Sequence, residues 1–183
     1  GLGHDMFNTD VFKWKSRTYD FSTGVFTMDF EKTIQKYHPG VTLMWIGTAS
    51  IKMFNLYHDL VFGVPPPDNL VETVFALHTL QKIMVVLVTA ILLGFIIYPL
   101  KKLFGKKYAI IVAALMIFEP FYVALNRVMH LEGLMSTFML ASFIWFYYFL
   151  KERGHKKIIL SAFFAACAFL TKTSSVFLVP FYG

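Results

Sequence analysis

Only one of the 183 residues is a cysteine. Cys167 therefore has no intrachain disulfide partner, which excludes disulfide scaffolds and multi-cysteine metal sites and leaves the redox compartment open. Charge is scarce too: Asp, Glu, Lys and Arg make up 15% of the chain, against 57% hydrophobic and 18% aromatic residues, and mean hydropathy is +0.60. That balance lies outside the range of soluble domains. The net charge of +6 does not mark a nucleic-acid surface, because eight of the 17 Lys and Arg fall in two short clusters, Lys101 to Lys107 and Lys151 to Lys157, each at the end of an apolar run. Basic clusters so placed read as loops retained on the cytoplasmic side of a membrane. No repeat, low-complexity tract or signal-like leader is visible. The chain opens on Gly1 and ends at Gly183 just after an apolar stretch, and it reads as a piece of a longer membrane protein.

What is present is a series of apolar runs. Ile83 to Leu100 is 18 residues without a charge, followed at once by Lys101, Lys102, Lys106 and Lys107. A run of that length covers a hydrocarbon core of roughly 30 Å, and the lysines mark its cytoplasmic end. The sequence predicts an all-α, multi-pass transmembrane bundle with spans at about 79–100, 108–126, 133–150 and 158–171, and the start of another from 173. Residues 1–70 are expected to form an extracytoplasmic loop carrying juxtamembrane helices. Within it Val41 to Phe62 is free of charge only as far as Ile51, before Lys52 and Asp59. Eleven residues are too few to cross, so 41–62 is expected to be an interfacial helix. That choice keeps the polar N-terminal region on the outer side; a spanning helix there would reverse it.

Ionisable groups close to a hydrocarbon core are costly and tend to be paired or functional. On this topology Asp5, Asp10, His38-Pro39-Gly40, the turn from Arg127 to Glu132, and Lys172 all fall on the outer face. Each also has an ordinary reading: solvated carboxylates for Asp5 and Asp10, a turn for His38, interfacial charges for Arg127 and Glu132, and a helix anchor for Lys172. Glu119 beside Pro120 interrupts an apolar run and is expected to cap or bend the helix. No cofactor is called for. A divalent metal held by His4 and Asp10, or by His130 and Glu132, is only weakly signalled, because neither pair has the spacing of a helix-borne site such as H-E-x-x-H.

The order of these motifs resembles a known family. Asn8-Thr9-Asp10-Val11, Tyr37-His38-Pro39-Gly40, Glu119-Pro120, Asn126-Arg127 with Glu132, and Leu170-Thr171-Lys172 are similar to the N-terminal part of the polyprenyl-phosphate-sugar-dependent glycosyltransferases. The nearest group is glycosyltransferase family 39, the protein mannosyltransferase and aminoarabinose transferase relatives with the GT-C fold. Two positions depart from its pattern: Val11 stands where an Asp-Glu pair has its second acid, and Gly40 where a His-Pro-Pro turn has its second proline.

The resemblance implies an integral membrane glycosyltransferase that moves a sugar from a polyprenyl-phosphate donor to a hydroxyl of a protein or lipid acceptor. It implies Asp10 and Glu132 as catalytic, Arg127 and Lys172 as binders of the donor phosphate, and His38 and Arg17 as positioning the loop or the acceptor. A carboxylate suits proton removal from the attacking hydroxyl, and cations suit the departing phosphate. Membrane lipids are further partners, and a prokaryotic plasma membrane is preferred over the endoplasmic reticulum. A transporter or channel segment, or a catalytically inactive structural relative, is the alternative reading.

Overall fold

Val11, Trp14, Thr18 and Phe21 recur at helical spacing, and they form the buried face of the first helix, α1 (Thr9–Thr27). The structure is a computed structural model and describes residues 9–34, 38–67 and 70–182; Asp5, His4, Asn8 and Tyr37, named above, lie outside them. All regular elements among the described residues are helical, as the sequence predicted. After a single 3-10 turn at Phe30–Thr33 comes α2 (Val41–Phe62), bounded by Gly40 and Gly63, both in the left-handed region. Its buried stripe is Leu43, Met44, Gly47, Thr48, Ile51 and Phe54.

A proline-rich turn, Pro65 to Pro67, leads into α3 (Val71–Phe104), 34 residues in one helix. At 1.5 Å per residue it measures about 51 Å, some 20 Å more than a hydrocarbon core requires. Lys101 and Lys102 occupy its last turn, and the charged residues Glu72 and Lys82 lie in the part of the helix ahead of the apolar run. The span expected from residue 79 is thus embedded in a helix that starts eight residues earlier. Against the outer part of α3, Leu77 and Leu80 pack on Ile51 and Phe54 of α2. Pro99 lies inside α3 and removes the N–H that would bond the Phe95 carbonyl. Trp145 Nε1 donates to that carbonyl instead, at 2.9 Å, so the Phe95 carbonyl keeps a partner in the apolar layer.

The next segment breaks where the sequence predicted. α4 (Lys106–Phe118) and α5 (Pro120–Asn126) meet at 64°. The Glu119 carboxylate accepts the backbone N–H groups of Phe121, at 3.1 Å, and Tyr122. Pro120 opens the new helix, where its missing N–H costs nothing.

α6 (Leu131–Glu152) and α7 (His155–Thr171) form a close pair, clasped by Ser142 donating to the Ser161 carbonyl at 2.7 Å and Ser161 donating back to the Ser142 carbonyl at 2.9 Å. Residues Thr173–Phe181 then form a 3-10 helix where a further span was expected to begin. Among the described helices, α3 and α6 are long and apolar enough to cross a membrane, and the bent pair α4–α5 makes a third if counted as one span.

One buried cluster ties the N-terminal region to the bundle: Val11 and Trp14 of α1 and Leu43 of α2 pack with Met129, Leu131 and Leu134 at the α5–α6 turn. That packing sets α1 and the start of α2 over one end of the helices, the end opposite the lysine clusters.

Candidate functional site

The site begins with the way α1 divides its faces. Helical spacing turns Val11 and Trp14 inward, 0% and 4% exposed, and leaves Asp10 and Lys13 outward. An acid at position 11 would be buried in an apolar cluster with its charge unsolvated, so packing accounts for the valine where the resembling family carries its second acid. Asp10 is half exposed. Its Oδ1 lies 3.3 Å from Lys13 Nζ and its Oδ2 lies 3.9 Å from His130 Nε2.

His130 comes from the α5–α6 turn. It caps α6, with its Nδ1 accepting the Glu132 backbone N–H at 3.4 Å. Burial pushes its pKa below the ordinary value of 6.5; the charges of Glu132 and Asp10 raise it, and Lys172 and His38 add to the lowering. The folded protein therefore favours the neutral ring. This contribution to stability is complete above about pH 6.5 and is lost as pH falls through the lowered pKa.

Glu132, in the first turn of α6, forms an ion pair with Lys172 just beyond α7. Both are mostly shielded, with side chains 33% and 19% exposed, so this pair is less screened than a surface pair. The backbone around Lys172 is held as well: Thr171 accepts the Gly40 N–H at 3.0 Å through its carbonyl, and its hydroxyl bonds that of Thr42. The start of α2 is thereby latched to the end of α7.

Gly40 explains the second departure from the family pattern. Its φ of +61° is closed to proline, and a Cβ there would collide with the Trp14 ring. The Arg17 guanidinium covers that same ring, 4.7 Å from its centroid. Arg17, Trp14 and Gly40 thus form one stack beneath the His38 turn. His38 Nδ1 is buried with no hydrogen-bond partner among the described residues.

Asp10, Glu132 and Lys172, with His38 acting on the charge of His130, are therefore gathered at one end of the bundle from segments up to 162 residues apart. Arg17 touches the group only through Trp14. Arg127 stands apart: it ends α5, is exposed, and forms no ion pair with a described residue, so the partner of Glu132 is Lys172 and not the arginine. Reasoning from the sequence named His130 only as a weak metal ligand and gave no role to Trp14, Thr42 or Thr171. A cap-competent histidine two residues ahead of Glu132 was the one available signal.

The described residues include no group of three or more His, Cys, Asp or Glu arranged to hold a metal. What the geometry offers is a carboxylate open to solvent beside a cation whose partner acid is fixed, at one end of a set of apolar helices.

Residues 70–182 match the family model described as dolichyl-phosphate-mannose-protein mannosyltransferase. With well over half of its length matched, the chain belongs to this family, which makes it an integral membrane glycosyltransferase of the mannosyltransferase type and bears out the resemblance read from the motifs. No curated protein and no solved structure matches it.

Proposed function

We propose that the protein transfers a mannosyl group from a polyprenyl-phosphate donor to a hydroxyl acceptor at the extracytoplasmic face. The single observation that carries this reading is the gathering of Asp10 and the Glu132–Lys172 pair around His130, at the end of the helices remote from both lysine clusters. Asp10 is exposed enough to meet an acceptor. It takes the hydroxyl proton while the oxygen attacks the anomeric carbon, the bond from that carbon to the phosphate oxygen breaks, and the lipid phosphate departs with the electron pair. Direct displacement inverts the anomeric centre.

Lys172, steadied by Glu132, meets the charge that grows on the phosphate. Arg127, exposed at the same turn, is the second cation for the donor. Arg17 steadies the Trp14 ring on which Gly40 rests, and with it the His38 turn beside the site. No metal is required, since the leaving group is met by side-chain cations, and turnover is expected to persist in EDTA.

The test is Asp10→Asn in the full-length protein, reconstituted with dolichyl-phosphate mannose and a hydroxyl-bearing peptide. Loss of a general base is expected to lower turnover by about 10²- to 10⁴-fold with donor binding intact. Undiminished turnover would remove Asp10 from the chemistry, and a wild-type protein that binds the donor without turnover would favour an inactive relative.

A further inference from the structure

The ring of His130 sits between two other parts of the site in a way that gives its two nitrogens separate tasks. On one side Nδ1 takes the Glu132 backbone N–H. A nitrogen that accepts carries no proton, so the neutral imidazole must carry its proton on Nε2. On the other side Nε2 faces Asp10 Oδ2 at 3.9 Å. That is beyond hydrogen-bond length, and an approach of about 1 Å by an exposed carboxylate, or one bridging water, completes the contact.

The ring is the fixed partner and the carboxylate the movable one. His130 is 19% exposed at its side chain and Asp10 55%, and the residues flanking the histidine, Met129 and Leu131, are 0% and 2% exposed. Lys13, which also meets the carboxylate, is 62% exposed on a flexible stem, and its own hold is weak.

Resting on the reading of Asp10 as the base, we propose that His130 is its positioning residue, with Nε2–H aiming the carboxylate at the acceptor and the α6 cap fixing the tautomer. Among the described residues, the titratable and charged groups around the ring are Asp10 and Lys13 from α1, His38 ahead of α2, Glu132 on its own helix and Lys172 after α7. When His130 is protonated, Nδ1 gains a hydrogen and can no longer accept from Glu132 N–H. The cap is then lost, while Nε2–H still faces Asp10 from a cationic ring that the carboxylate attracts and that Lys172 and His38 repel.

Two substitutions separate aiming from capping, because the amide of Asn reaches the place of Nδ1 and that of Gln the place of Nε2. In the full-length protein assayed with dolichyl-phosphate mannose and a hydroxyl-bearing peptide, H130N keeps the cap acceptor and loses the donor. It is expected to lower kcat by about 10- to 100-fold with KM little changed. H130Q keeps the donor and is expected to retain most of kcat, with the acid limb of the pH profile moved because no imidazole titrates. The reverse pattern, an active H130N and an impaired H130Q, would reduce His130 to a helix cap and overturn the proposal.

In the D10N background H130N should cost nothing further; a second loss of the same size would mean that His130 does not act through Asp10. An activity-independent readout keeps failure of this proposal distinct from failure of the base assignment. The ring 15N shifts of His130 in detergent micelles should show the Nε2–H tautomer, and its titration midpoint should fall in D10N, where a charge that raises it is gone. An Nδ1–H tautomer or an unmoved midpoint would overturn the proposal whatever the kinetics show.

Discussion

The two ends of the helical bundle hold charge in opposite ways. At the outer end the partners come from far apart in the chain: Lys172 with Glu132, His130 with Asp10, and the Gly40 N–H with the Thr171 carbonyl. At the lysine-rich end the contacts are local. Lys157 pairs with Glu152 at 3.1 Å, Lys151 lies over Tyr147 and Arg153 over Phe149, while Lys101, Lys102, Lys106 and Lys107 are exposed. Charges that only orient a helix in a membrane need to be near its end, and neighbours a few residues away in the chain suffice for them. Charges that build a site have to be held in relation to one another, which takes separate elements locked together.

That comparison can be broken most severely at Lys172. Replacing it with Ala leaves Glu132 without its cation and the donor phosphate without a partner, and turnover in reconstituted vesicles should fall by about 10²- to 10³-fold. If the outer charges were as loosely set as the inner ones, the loss would be slight.

The next largest effect is expected at Gly40, where Ala meets both a positive φ and the Trp14 ring. It should destabilise the protein by about 1–3 kcal/mol, read as a lower thermal midpoint in detergent, and should loosen α1 enough to reduce activity. The smallest belongs to the lysine-rich end: Lys106→Gln should leave both turnover and thermal midpoint within error, since Lys106 is exposed to solvent. A large effect there would erase the contrast between the ends.

Some of this could be read before any coordinates. The break at Glu119 and Pro120 was legible because an acid beside a proline has a capping geometry that depends on adjacent residues alone. The limits of α2 were legible for a similar reason: glycines stand at both ends, and the first charged residue inside it, Lys52, appears only after Ile51. The length of α3 was less so, since hydropathy reports where charge is absent and not where a helix stops; Lys82 and Glu72 interrupt the apolar run without interrupting the backbone hydrogen bonds.

The two departures from the family pattern were visible as letters only. Val11 and Gly40 acquire a reason once Trp14 and the α5–α6 turn are seen packed on them.

By itself the sequence determined the helical class and the membrane setting, and it named most of the polar residues that gather at one end of the helices, because charge, apolar length and capping are properties of neighbouring residues. Tertiary structure alone decided which of those polar residues meet. That Glu132 chose Lys172 over the nearer Arg127, and that His130 turned toward Asp10, follow from how α1, α6 and α7 pack. Contacts between distant segments are set by the shared burial of Val11, Leu43, Met129 and Leu131, which no local pattern in the chain encodes.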